Sequence, residues 1–174
     1  NKSGSVTTTS SNASTYSSGS INTTSLSLSD GSNGGLSANY TLSGGSHSVS
    51  IDKKSLGLDG SKVYDGNTSV SNSNISTFNG LALTETLTIN GTGSIAAPQV
   101  GTNKTLTLGT LSLADGTNGG EASNYSLTSG ELDVTARPIT LSGSRVYDAT
   151  ATVGNSDLTT FNNIVSGEAL AITG

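Results

Sequence analysis

Apolar residues along this chain alternate with polar ones at a period of two. Leu81, Leu83, Leu87 and Ile89 all hold odd positions, with Thr84, Thr86 and Thr88 among the residues between them. Leu106 and Leu108 alternate with Thr, Leu132 pairs with Val134, and Val49 with Ile51. Such alternation sets one face of a β-strand toward a core and the other toward water. Leu111 and Leu113 continue the series, but their parity flips across Gly109-Thr110, which predicts a bulge or a strand break. No window carries a 3.6-residue period. A helical turn is allowed only over Ser156 to Phe161 and near Asn74 to Phe78. Tight-turn dipeptides stand at Asp30-Gly31, Asp59-Gly60, Asp65-Gly66, Asn90-Gly91 and Asp115-Gly116. Strands are expected near 103–108, 111–114, 122–128, 131–141, 144–154 and 168–173, an all-β pattern of sandwich or barrel type.

The chain also repeats itself. Ser61-Lys62-Val63-Tyr64-Asp65-Gly66 returns 83 residues later as Ser144-Arg145-Val146-Tyr147-Asp148-Ala149. Asp30-Gly31-Ser32-Asn33-Gly34-Gly35, with Asn39-Tyr40-Thr41-Leu42, returns 85 residues later as Asp115 to Gly120 with Asn124-Tyr125-Ser126-Leu127. Ser76-Thr77-Phe78-Asn79 matches Thr159-Thr160-Phe161-Asn162. A period of about 84 residues is domain-sized, longer than a solenoid rung. The divisions expected are 1–48 as the C-terminal half of a unit, 49–130 as a complete unit and 131–174 as the N-terminal half of the next. Tandem units suggest a molecule that spans distance. The half-units admit a second arrangement, in which the open end of one chain completes the sheet of another and builds a fibre.

Composition narrows the classes. Of 174 residues, 32 are Ser, 26 Thr, 23 Gly and 16 Asn. With only 7 basic and 12 acidic residues, the chain lacks the high charge typical of disordered sequences. There is no Cys, hence no disulfide framework or thiolate metal site. A net charge of −5 argues against a nucleic-acid partner, and no apolar run is long enough for a membrane-spanning segment. No signal or lipidation motif stands out.

Val63-Tyr64-Asp65-Gly66-Asn67-Thr68, preceded by Lys62, and Gly35-Leu36-Ser37-Ala38-Asn39-Tyr40-Thr41-Leu42 resemble the YDG repeat of filamentous-haemagglutinin-like bacterial surface adhesins. Gly101-Thr102-Asn103-Lys104-Thr105-Leu106 and Ala136-Arg137-Pro138-Ile139 are similar to further stretches of that repeat. Ala149 departs from the signature Gly, and residues 1–25 are degenerate. The resemblance implies an extracellular stalk at the bacterial cell surface. Its partners would be neighbouring modules or identical chains in a fibre, with any host ligand bound through other regions. It brings no catalytic residues and no cofactor.

Each candidate residue has a structural reading. Tyr64 and Tyr147 would pack in the core, while Asp65 and Asp148 cap a turn that Gly66 completes in the first copy. Tyr40 and Tyr125 resemble tyrosine corners. Glu85 and Glu168 share a repeat position and are expected at exposed strand ends or paired with Lys62 or Arg145. An isopeptide crosslink is disfavoured because Lys62 becomes Arg145. The Asp30 and Asp115 loops offer one carboxylate each, few for calcium, and His47 is the lone His, too few for a triad or a zinc site. Nine Asn-x-Ser/Thr sequons, from Asn1 to Asn124, leave glycosylation open. The expectation is therefore a non-enzymatic structural stalk or spacer of an adhesin or surface fibre, built of Ig-like β-sandwich modules end to end. The alternatives are a biofilm-matrix or pilus-like subunit polymerised by strand complementation, and a carbohydrate-binding β-sandwich.

Overall fold

The computed structural model describes residues 2–43 and 45–173; the Asn1 sequon lies outside them. The first strands are short: β1 (Lys2–Ser3), β2 (Thr7–Thr8), β3 (Ser14–Ser17), β4 (Ile21–Asn22), β5 (Ser27–Leu28) and β6 (Ser48–Ile51). The middle of the chain holds β7 (Lys54–Val63), β8 (Ser69–Ser71), β9 (Ile75–Asn79), β10 (Leu87–Asn90), β11 (Thr92–Ile95), β12 (Gly101–Thr107), β13 (Ser112–Asp115) and β14 (Tyr125–Thr135). The last two strands are β15 (Thr140–Ser142) and β16 (Thr160–Asn162). The described residues contain 3-10 turns but no α-helix.

The chain is mostly β, as the alternation implies. Its central sheet has six strands in the order β8-β11-β12-β14-β7-β9 and curls into a half-barrel. β10 and β13 form a separate antiparallel pair. The two facing sheets of an Ig-like sandwich are not what encloses this core. The difference comes from one pairing: β14 runs parallel to β7, from Tyr125 beside Lys54 to Thr135 beside Val63. The first and last long strands of the unit are thereby side by side at its centre, and the shorter strands hang antiparallel from each.

Side-chain parity explains the register. On β7, Leu56, Leu58 and Lys62 are buried, all at even positions. On β14, Tyr125 is buried at an odd position but Gly130, Leu132 and Val134 at even ones. A strand can present both sets to one core only if a residue is inserted, and the register shifts between Leu127 and Ser129. The main core joins Leu58, Val70 and Leu132 with Ile95, Leu106 and Val134, among others. Leu56, Leu87 and Tyr125 make a second cluster. Burying each Leu contributes about 1.5–3 kcal/mol.

Gly60 is fixed by a close approach. A Cβ there would sit 2.1 Å from the Asn74 carbonyl oxygen, where β7 meets β9 at Gly60 and Ile75. Gly143 repeats this, with a Cβ 1.7 Å from the Asp157 carbonyl.

Several expected strands take other forms. The parity flip at Gly109-Thr110 is a turn between β12 and β13. Residues 81–86, expected to continue the alternation of β10, are a loop in which Leu83 has a φ of +48° and is almost wholly exposed. Parity there placed Leu83 on a strand face, but no strand pairs with it. The 131–141 stretch splits into β14 and β15 around Pro138, which has no N–H for a ladder. Residues 144–154 and 168–173 form no strand. The allowed helical turns are 3-10 turns that begin two and one residues upstream, at Asn72–Asn74 and Asn155–Asp157, and Phe78 and Phe161 lie on strands.

The repeat is preserved as pairing. Leu58 beside Phe78 returns as Leu141 beside Phe161. Ile95 beside Leu106 is matched by Thr8 beside Ile21. Gly101 beside Val134 is matched by Ser14 beside Ile51. The expected divisions at 48/49 and 130/131 fall within β6 and β14 respectively.

Candidate functional site

The Tyr-Asp-Gly signature lies just beyond β7. The Lys62 stem is buried, and its Nζ lies 2.8 Å from Asp65 Oδ1. The same Nζ donates to the carbonyls of Asn67 (3.0 Å) and Ser69 (2.8 Å). Asp65 Oδ1 also accepts from the Asn67 N–H at 3.0 Å, which makes an Asx turn. Gly66 supplies the positive φ of +77° that this turn needs. Burial alone would raise the Asp65 carboxyl. Hydrogen bonds from Lys62 and the Asn67 N–H, with the Lys62 charge, outweigh it and hold Asp65 below the usual carboxylate range.

The second copy rebuilds this clip with different residues. Arg145 Nη1 lies 2.7 Å from Asp148 Oδ2, and its guanidinium also donates to the Thr150 hydroxyl and carbonyl oxygens. Asp148 Oδ1 accepts from the Thr150 N–H at 3.0 Å and hydroxyl at 2.8 Å. These two bonds, and then Arg145, lower its carboxyl. Ala149 stands in for Gly66 yet keeps a positive φ of +62°. A conformation retained against its steric cost is one that the surrounding bonds impose.

The four tyrosines of the repeated motifs separate. Tyr125 is buried, accepts the Ala82 N–H at 3.1 Å and donates to Glu85 Oε2. Burial, then the Glu85 bond, raises its phenol. Tyr64 packs on the main core and donates to Glu168 Oε1, a bond that raises its phenol. Tyr40 and Tyr147, their repeat counterparts, are exposed. Glu85 and Glu168 therefore take tyrosine hydroxyls, not Lys62 or Arg145 as the sequence suggests. Those two cations are held by nearer aspartates, three residues along the chain. The shared repeat position of the two glutamates was the only sequence signal for this role.

The Tyr64–Glu168 bond crosses from the central unit to the segment that follows. A second junction lies on the N-terminal side. Asn12 Nδ2 donates to Glu121 Oε2 at 2.7 Å. The Ala13 N–H donates to Asn124 Oδ1 at 2.7 Å, and Asn124 Nδ2 to Asn12 Oδ1 at 3.1 Å. In the sequence Asn12 is a sequon and Asn124 both a sequon and the first residue of the repeated Asn-Tyr block, and neither pattern signals a junction. Both junctions engage the same place in a unit: the turn around Glu121–Asn124 adjoins Glu85 through Tyr125, and Glu168 is the counterpart of Glu85.

The Asp-Gly loops are closed on themselves. Asp30 Oδ1 accepts the Ser37 N–H and hydroxyl, both at 2.7 Å, and these bonds lower its carboxyl. Asp115 Oδ1 accepts the Ala122 N–H at 2.8 Å. Each aspartate thus caps a 3-10 turn. Among the described residues no three His, Cys, Asp or Glu side chains are grouped to hold a metal. His47 Nε2 lies 3.0 Å from the Leu42 carbonyl oxygen.

A protein-family profile described as YDG domain matches residues 52–132. The chain carries a YDG domain there, and the match covers β7 through most of β14. No curated protein and no solved structure matches the chain.

Proposed function

We propose that this chain is a spacer: a run of YDG-type units, set end to end, in a bacterial extracellular surface protein or fibre. Its role is mechanical and we assign it no catalytic step. The observation that carries the reading is the recurrence of the central unit's strand pairings on both sides of it, Leu141 beside Phe161 and Thr8 beside Ile21. Hydrogen bonds at Asn12–Glu121 and Tyr64–Glu168 join successive units side chain to side chain. The Ser, Thr and Asn surface suits hydration without strong charge. A ten-residue strand such as β7 spans roughly 33 Å, so each unit would add a few nanometres.

The reading is tested by small-angle X-ray scattering on chains of two, three and four units. A spacer gives a maximum dimension that rises in equal steps per unit. Units that collapse on one another, so that the dimension rises much more slowly, would refute it.

A further inference from the structure

β7 and β14 end side by side, Val63 beside Thr135, and the Tyr64 N–H extends that ladder to the Thr135 carbonyl oxygen at 2.9 Å. The signature turn and the linker to β15 therefore leave the sheet from one place. Pro138 in that linker fixes its own φ and restricts Arg137 to extended backbone. The linker is also braced. Arg137 Nε donates to the Asn163 carbonyl oxygen and Nη2 to Asn163 Oδ1, both at 2.7 Å. Asn163 Nδ2 donates in turn to the Pro138 carbonyl oxygen at 2.7 Å. The repeat counterparts of Arg137 and Asn163 are Lys54 and Gly80. Gly80 shares the positive φ of Asn163, +107° against +68°, but has no amide to offer, and lysine lacks the guanidinium fork. The brace is thus written into two positions that differ between the copies and meet in space.

Just past Asn163 comes the loop that meets the signature turn. The Glu168 N–H closes it on the Val165 carbonyl oxygen at 3.1 Å, as the Glu85 N–H closes the central unit's loop on the Ala82 carbonyl at 3.0 Å. In both copies the glutamate so placed accepts a tyrosine hydroxyl, from Tyr64 or Tyr125. Val165 occupies the space that Gly66 leaves open, since a Cβ on Gly66 would sit 3.0 Å from Val165 Cγ1.

We propose that the signature turn Tyr64–Gly66, the linker 136–139 and the segment Asn163–Glu168 form one rigid joint. It fixes the direction in which residues 140–173 leave the central unit. Four contacts surround the linker and oppose rotation about it: Tyr64 with Thr135, Arg137 with Asn163, Tyr64 with Glu168, and Gly66 with Val165. The Tyr-Asp-Gly motif thereby gains a role beyond its own turn, as the seat for the segment that follows. The inference rests on the spacer reading and deepens it, because units held at a set angle transmit direction as well as distance.

The test is the distance between two spin labels on the full chain, read by pulsed electron paramagnetic resonance. The chain has no Cys, so Thr105→Cys on β12 and Thr160→Cys on β16, both exposed, are the only labelled sites. The expected result is one narrow distance distribution. Arg137→Lys with Asn163→Gly, the residues the first copy carries, should broaden it about twofold, as orientations that the joint excludes become populated. Adding Tyr64→Phe, which keeps the ring on the core and removes only the hydroxyl, should broaden it further. A broad distribution in the parent chain overturns the proposal, as does a triple variant as narrow as the parent. Broadening accompanied by faster hydrogen exchange at the Leu141 amide, inside the β15–β16 pair, would mean that the brace folds the segment instead of orienting it, and overturns the proposal too. None of these results refutes the spacer reading, because units on a loose joint still extend, and the scattering series on longer chains measures that.

Discussion

Lys62 Nζ lies 2.8 Å from Asp65 Oδ1 while the lysine side chain itself is only 5% exposed. A buried ammonium is costly unless its hydrogens are placed. Here they are: one meets the carboxylate and two meet the Asn67 and Ser69 carbonyls. The bond set ties the end of β7 to the start of β8 across the signature turn.

Lys62→Ala should therefore destabilise the central unit by about 1–3 kcal/mol, since it strands two carbonyls and removes a packed stem. Lys62→Arg should cost much less, because Arg145 makes the equivalent ion pair in the second copy. Urea denaturation followed by circular dichroism checks both. Equal losses for Ala and Arg would show that the cation is not what holds the turn.

Two glycines should differ in kind. Gly60→Ala places a methyl 2.1 Å from a backbone oxygen that no rotamer change can move, and overpacking of this sort costs about 1–3 kcal/mol or more. Gly66→Ala meets only the flexible Val165 side chain at 3.0 Å, and its main penalty is the positive φ, about 1 kcal/mol. The expected order of midpoints is wild type, then Gly66→Ala, then Gly60→Ala.

Stability should fall at both ends of the pH scale, through different groups. Asp65 has its folded-state carboxyl lowered from 3.8. Its contribution is thus full above the unfolded value and is lost as pH drops through the lower folded one. Tyr125 has its phenol raised from 10.0. Its contribution is full below that value and is lost as pH rises through the folded one. Asp65→Asn should make the acid limb shallower, leaving the shares of Asp30 and Asp148, and Tyr125→Phe should do the same for the alkaline limb, leaving that of Tyr64; neither should change the opposite limb. The readout is the thermal midpoint measured from pH 2 to 11.

At the N-terminal junction, Asn124→Ala removes the partner of both Ala13 and Asn12. The central core does not depend on that amide, so global stability should change by less than about 1 kcal/mol. Hydrogen exchange at the Ala13 amide should instead accelerate at least tenfold. An unchanged rate would show that the junction is held elsewhere.

Much of this was legible in the sequence. Leu132 and Val134 were placed on one strand face by alternation, the break at Gly109-Thr110 by parity, and the turn of Asp65-Gly66 by its residues. The repeat announced that Tyr64 and Tyr147, or Tyr125 and Tyr40, hold equivalent positions. It did not announce that within each pair one would be covered and the other exposed, because burial depends on which strand lies opposite.

The sequence by itself determined most strands and turns of the central unit and how the pattern recurs, because those follow from local sterics and from the face each side chain must take, but it also suggested strands at 144–154 and 168–173 that do not form. Tertiary structure alone decided the partners. Tyr125 and Lys54 are 71 residues apart, and nothing local distinguishes a parallel neighbour from an antiparallel one. Likewise Leu83 has the parity of a core residue and lies in an exposed loop, and Glu85 finds a tyrosine hydroxyl instead of a cation. Alternation specifies a face, whereas the choice of what covers it is a sum over contacts distant in the chain.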